Sequence, residues 1–466
     1  MSKIDLNNVD LAWLRMENPT NLMMITMVLL FKGQINYDRL ITTLDVSLNR
    51  YRRFRQRIVR PGGFFSRPYW EDDPDYRVED HVERLQLGQI PDEKSLWELV
   101  SRKIASALDF SHPLWKISLI DNYPEGSVLL FRVHHCIGDG ISLMRVLLMM
   151  SQTSPDGPTN QALMDNPDRN KTQANRNPTL TQTPAQGSDR DQASSPVRTV
   201  KPAPNLFKGT LYENHPVTEI IAAMVRILLL IPDPVTIFKG RLGKIKKAVW
   251  SESYNLTEII NIARLHQATP NDVLMAIATG AIRRYLDLNQ NKRKHNIRAF
   301  ILYNLRRRIY DEELGNKFGL VFLTLPLDRE QSIDRLKAIK QGMDSLKSSA
   351  QYAATYQILN ILGMLPEWIE HLATLFMDTK ATVVATNVPG PRRQLYLAGV
   401  PIQSMIAWVP QAGRISTGLS FITYNNQVRV GINTDVGLVP DPEKFIELFA
   451  EEFKSFQSVL STLPNE

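Results

Sequence analysis

His134-His135-Cys136-Ile137-Gly138-Asp139-Gly140 closes one apolar run and opens another. Upstream, residues 113–121 and 127–135 read as two strands, joined by the turn Asn122-Tyr123-Pro124-Glu125-Gly126. Downstream, Ile141 to Met150 carries a helical apolar run. The segment is therefore a strand–loop–helix junction. Its two histidines end a strand, so their side chains point to opposite faces and only one can face a given cavity. A neutral imidazole titrates near neutrality, which suits a general base that takes a proton and returns it. Asp139 lies past a tight turn, where it can orient the loop by pairing with a basic residue elsewhere. The glycines allow that turn, and Gly140 would let a bulky ligand approach the backbone.

The same residues admit other readings. His134, His135 and Asp139 suggest a metal site, but neighbouring strand residues diverge and a third ligand at helical spacing is missing. No metal is expected. Cys136 beside His135 suggests a thiol nucleophile, although adjacency along the chain works against contact between the groups. A pair of structural core histidines is the plainest alternative. On the residues alone these readings stay open.

Working outward, residues 22–31 form a short apolar run ending at Lys32-Gly33, as a buried strand would. Residues 36–49 follow with helical spacing through Leu40, Ile41, Leu44 and Leu48. Six arginines crowd positions 50 to 60, either as a phosphate or headgroup patch or as a helix end and strand with charges outward. From 151 to about 205 the chain is Asn, Gln, Pro, Ser, Thr, Asp and Arg with few large apolar residues. Such a segment cannot bury enough surface to offset its ordering entropy, so a disordered polar connector is expected over 151–205. It would separate a first subdomain at 1–150 from a second at 206–466.

The second part opens with an apolar stretch from Val217 to Ile231, followed by Lys239, Arg241, Lys244, Lys246 and Lys247. The stretch is too short to span a bilayer. It reads either as an interfacial helix with a basic flank or as an ordinary amphipathic helix on the core. Two helices fill 257–286, and Thr269-Pro270-Asn271-Asp272 has the chemistry of a capped helix start. Strands are expected near 298–305, 320–327, 382–387 and 417–433, with a hairpin turn at Tyr424-Asn425-Asn426-Gln427. Strands and helices mix without strict alternation, so the class is mixed α/β (α+β) with two similar-sized subdomains.

The whole chain has 466 residues, 43% hydrophobic and 22% charged, which is ordinary for a globular protein. The net charge of +7 favours anionic partners without choosing among nucleic acid, a phosphorylated cofactor and an acidic membrane. No nucleic-acid recognition motif accompanies it, so no nucleic-acid partner is expected. One cysteine, Cys136, rules out a disulfide framework and fits a reducing cytoplasm. The N-terminal residues lack the apolar stretch of a signal peptide, and no run of about 20 apolar residues occurs.

Six motifs, in order, carry a resemblance: Pro113-Leu114-Trp115, the His134–Gly140 segment, Pro270-Asn271-Asp272, Asn304-Leu305-Arg306 with Gly315-Asn316-Lys317-Phe318-Gly319, Thr386-Asn387-Val388-Pro389-Gly390-Pro391, and a closing pattern of Gly418-Leu419, Tyr424 and Asp435. Together they resemble the wax ester synthase/diacylglycerol acyltransferase family, within the coenzyme-A-dependent acyltransferase superfamily. The resemblance spans nearly the whole chain outside the connector. It departs from the family's pattern at Thr386 and Asn304, where serine is common.

The resemblance implies two chloramphenicol-acetyltransferase-like subdomains with a tunnel between them. It implies acyl-CoA as co-substrate, no resident cofactor, and a fatty alcohol or diacylglycerol as acceptor. His135 would be the base, within a catalytic group that also holds His134, Asp139 and Gly140. Asp139 would be structural, paired with Arg306. Asn387 and Thr386 would be polar supports near the developing oxyanion, with Asn271 and Asp272 as substrate or structural supports. Asp272, Trp115 and Asn387 also have bland readings as a cap, core filler and a turn. A cytoplasmic protein is expected, peripheral at an anionic membrane or lipid droplet. Two other functions remain: condensation from a carrier-bound acyl donor, and lipid binding without turnover.

Overall fold

A computed structural model describes residues 3–62, 66–85, 92–160, 162, 215–289, 295–306 and 314–461. The run at 22–31 becomes the strand Met24–Phe31, buried at every position. A central strand covered on both faces needs such a nearly continuous apolar run, broken here only by the small hydroxyl of Thr26. It pairs antiparallel with Gly126–His134 on one side and with Val400–Trp408 on the other. Trp115–Tyr123 and Val82–Leu85 extend the sheet beyond Gly126–His134, and Tyr396–Leu397 ends it at the far edge. Leu29 is fully buried in this sheet, so Leu29→Ala would cost about 2–5 kcal/mol.

The second sheet runs Phe318–Leu325, Ile297–Asn304, Val383–Pro389, Thr417–Tyr424, Gln427–Asp435 and Lys246–Trp250. Asn425 and Asn426 both take positive φ at its hairpin turn, the conformation asparagine tolerates best after glycine. The helix Pro270–Leu288 lies against this sheet, almost wholly buried. Thr269 and Asp272 close its N-terminus in a capping box. A small third sheet joins Ile4–Asp5, Tyr69–Asp72 and Gln56–Val59.

The sheets divide the chain differently from a cut at 150 and 206. Val400–Trp408, late in the second part, completes the first part's sheet. One expectation also changes. The connector does not begin at 151: Ser151 and Gln152 are buried, and Gln152 exchanges backbone hydrogen bonds with Tyr396. Residues 163–214 lie outside the described residues. Of the six arginines at 50–60, Arg52 pairs with Asp72, Arg53 with Asp10 and Arg57 with Glu71, while Arg60 lies over the Phe110 ring. Beside Gly140 the space is open: a Cβ there would make only ordinary contact, 3.6 Å from Val388.

Candidate functional site

The motif loop sits where the two sheets face each other. His134 is the last residue of its strand, and the His135 N–H bonds the Met23 carbonyl at 2.7 Å. The two rings diverge as strand geometry requires. His134 turns into the protein, with Nε2 2.9 Å from Glu17 and Nδ1 accepting the Cys136 N–H. It does not line the cavity and acts as a support of the loop. His135 turns the other way and lines a cavity of about 1910 Å³. That exceeds the roughly 300–1,000 Å³ of a typical small-molecule pocket.

The cavity walls are mainly apolar. Leu11, Trp13 and Leu14 come from the helix Asn8–Met16, and Phe300, Leu302, Phe318 and Leu320 from the second sheet. A smaller chamber adjoins the same histidine, lined by Asp139, Gly140, Asn304, Thr386, Asn387 and Val388 among others. Arg60, Arg67, Arg241 and Arg414 line outer parts of the large cavity.

His135 is held on two sides. Trp13 stacks on its ring at 4.1 Å and 10°. Asn316 Oδ1 lies 2.8 Å from His135 Nδ1. The orientation of that amide follows from its partners, since Asn316 Nδ2 lies 2.8 Å from both Asp10 Oδ1 and the His135 carbonyl, two acceptors. Oδ1 must then face the ring, so Nδ1 carries the hydrogen and Nε2 keeps the lone pair. Asp10 is buried and paired with Arg53 at 2.6 Å, and Arg53 also donates to the Cys136 and Ile137 carbonyls. Burial pushes the Asp10 carboxyl up while Arg53 pulls it down. The His135 pKa is lowered to about 4, chiefly by burial, with Asp139 and Asn316 working in the opposite direction. The ring is therefore neutral at physiological pH.

Asp139 caps the helix Gly140–Met150 through Ser142. Its other oxygen lies 2.6 Å from Arg306 Nη1 and accepts the Lys317 N–H at 3.0 Å. Arg306 in turn donates to the Gly315 carbonyl. One carboxylate thus ties the histidine loop to the segment that carries Asn316. Gly315 takes φ +125°, and a Cβ there would lie 3.2 Å from Arg53. A side chain at 315 is disfavoured by the backbone itself.

The remaining expected residues fall into two groups. Thr386 and Asn387 line the small chamber with Asn304. The amide of Asn387 bonds that of Asn271 at 3.1 Å, joining the strand Val383–Pro389 to the start of the helix Pro270–Leu288. Asp272 serves its cap and does not line either chamber. Trp115 is core, bonded through Nε1 to the Phe54 carbonyl and stacked on His81. Asp10, Trp13, Arg53 and the role of Asn316 were not anticipated. Asn316 lies within the Gly315–Gly319 motif, and Asn7 and Asp10 have the spacing of a helix cap, but nothing local points either toward His135.

The fold has close parallels. A wax ester synthase/diacylglycerol acyltransferase from Marinobacter aquaeolei VT8 superposes with TM-score 0.65 at 19% identity, covering 98% of this chain and 100% of that one. The first condensation domain of the CDA synthetase gives TM-score 0.60 at 14% identity, over 97% and 96%. The chain thus shares the two-sheet fold of both proteins. The sequence narrows the class. The wax ester synthase/diacylglycerol acyltransferase catalytic domain matches residues 6–274, and the C-terminal domain of the same family matches 314–457. The chain belongs to the wax ester synthase/diacylglycerol acyltransferase family. Its relatives include a probable diacylglycerol O-acyltransferase of Mycobacterium tuberculosis strain CDC 1551, 23% identical over 87% of this chain and 84% of the relative. A second from the same strain is 26% identical over 74% and 73%.

Proposed function

We propose that the chain transfers a long-chain acyl group from acyl-CoA to a fatty alcohol or diacylglycerol, with His135 as the general base. The observation that carries this is the tautomer of His135: Asn316 holds Nδ1, leaving a basic Nε2 on a ring that lines a large apolar cavity. The acceptor hydroxyl gives its proton to Nε2 as its oxygen attacks the thioester carbonyl. A C–O bond forms, the C–S bond breaks, and the imidazolium returns the proton to the departing thiolate. No acyl-enzyme is required. Asn316 and the Asp10 carboxylate behind it favour the transient positive charge. Asn304, whose buried Nδ2 has no partner among the described residues, and Thr386 are the groups we assign to the developing oxyanion. Asn387 supports that wall through Asn271.

The lipid acceptor would come from an anionic membrane or lipid-droplet surface. The exposed apolar residues of the helix Val217–Leu228 and the basic residues after it support that source. Among the described residues no helix is long and apolar enough to cross a membrane.

The test supplies palmitoyl-CoA with hexadecanol or diacylglycerol and follows free thiol and ester together, with His135→Ala beside the wild type. Ester formation that collapses in the variant supports both the reaction and the base, and the preferred acceptor names the product. Transfer only from a phosphopantetheinylated carrier would replace acyl-CoA as donor. Acyl-CoA binding with no ester from the wild type would leave a lipid-binding protein.

A further inference from the structure

The helix Glu367–Asp378 is built inside out. Its fully buried residues are two acids, Glu370 and Asp378. Its exposed residues include Trp368, Leu372, Leu375 and Phe376, with Trp368 61% exposed. They are spaced four, three and one apart, so they form one stripe. A helix that only packs on a core shows the reverse pattern. Trp368, Leu372 and Leu375 are also walls of the cavity that holds His135. These three residues of the stripe therefore rim the cavity mouth, and Phe376 lies beside it.

A second stripe adjoins it. Val217, Ile221, Val225 and Leu228 are exposed along the helix Val217–Leu228, and Leu229 and Ile231 continue the surface at 76% and 77% exposure. The two segments are bound end to end. Lys380 donates to the Leu230 carbonyl, the Asp233 N–H to the Thr379 carbonyl at 2.8 Å, and Arg298 Nη2 to the Ile231 carbonyl at 2.9 Å. From Ile220 to Trp250 the single acid is Asp233, which is buried against Arg298 and Thr382. Arg226, Arg241 and Lys244 are exposed there, and Arg414 is exposed at the cavity edge. The two helices each carry one exposed acid in the first turn, Glu219 beside His215 and Glu367, and the exposed cations Arg226, Arg241, Lys244 and Arg414 outnumber them around the apolar surface, which complements an anionic bilayer.

We propose that these two helices form a single docking face for an anionic phospholipid surface, with the cavity mouth at its centre and Trp368 entering the acyl region. Docked this way, a lipid acceptor passes from bilayer to cavity without crossing water. The proposal rests on the reading that the substrates are lipids, and its test is separable from that reading.

The full chain is floated with vesicles of phosphatidylcholine containing roughly 30 mol % phosphatidylglycerol, and with phosphatidylcholine alone. Leu229→Ser/Ile231→Ser/Phe376→Ser removes apolar residues that do not line the cavity. We expect roughly tenfold or greater loss of partitioning, with unchanged transfer from a short-chain acyl-CoA to a short-chain alcohol in solution. Arg226→Glu/Lys244→Glu, which leaves the apolar stripe intact, should lose binding to anionic vesicles alone. Brominated acyl chains should quench tryptophan emission in the wild type and much less in Trp368→Phe. Wild type that floats with neither vesicle, or triple variants that float as well as wild type, would overturn the proposal. So would a wild-type dimer that the same substitutions dissociate, because the face would then be a self-interface. Flotation without any acyl transfer would leave docking standing and remove the enzymatic reading.

Discussion

Asn316 spends its amide nitrogen on Asp10 and on the His135 carbonyl and presents its oxygen to His135 Nδ1. Backbone and ring of the histidine are held by one side chain from the other half of the sequence. Asn316→Ala would free the ring to change tautomer. The expected result is a fall in kcat of roughly 10–100-fold with little change in KM. Asn316→Asp would place a carboxylate against Nδ1 and raise the pKa of the imidazole. Its acid limb should therefore move to higher pH than in wild type, a shift that a purely structural role would not produce.

The wild-type pH profile follows from the same ring. A base works unprotonated, and His135 loses its proton at about 4 rather than 6.5 because burial disfavours the imidazolium. The groups around it are His134, Asp139 and the Asp10–Arg53 pair. As pH falls, kcat/KM should hold through the ordinary histidine range and decline only near pH 4. A half-maximal value near 6.5 would show that the ring is solvated in the working enzyme.

Asp139 and Arg306 are both buried, so removing one strands the other. Asp139→Ala should cost about 3–5 kcal/mol, read as a lowered Tm. The double variant Asp139→Leu/Arg306→Met should recover part of the loss, since no lone charge remains. Recovered stability without recovered activity would separate holding the fold from placing Asn316.

Asp378 supplies a test that reads stability rather than turnover. It is buried and its pKa is raised to about 7, chiefly by desolvation, against the pull of Lys239 and Arg414. A carboxyl with a raised folded pKa binds more protons folded than unfolded. Its ionisation therefore costs stability increasingly as pH rises from the ordinary value of 3.8 to about 7. Asp378→Asn should raise stability at pH 8 by roughly 1–3 kcal/mol and change little at pH 4. Thermal unfolding at the two pH values decides it.

Much of this was legible in the sequence because it is local. The short apolar run at 22–31, ending at Lys32-Gly33, suits a buried strand better than a helix. Thr269-Pro270-Asn271-Asp272 caps its own helix, and Asn425-Asn426 makes its own hairpin. Histidine alternation also separated His134 from His135 without any tertiary information. The Asp139–Arg306 pair came from the resemblance. The Asp10–Asn316–His135 chain was not legible, since Asn316 and His135 stand 181 positions apart and neither has a pattern naming the other. The helix Glu367–Asp378 went unread for a different reason: its apolar stripe is the outer one, and periodicity does not say which side faces the core.

The strand Val400–Trp408 has a consequence for biosynthesis. During translation the first sheet is assembled while the partner of Met24–Phe31 has yet to be made, because Ile402 is the residue that meets Phe31. Until then a strand edge apolar at every position but Thr26 stands bare, a template for pairing with another nascent chain. Chaperone dependence should fall sharply once the ribosome has released the segment through Trp408, and truncations ending before Val400 should aggregate.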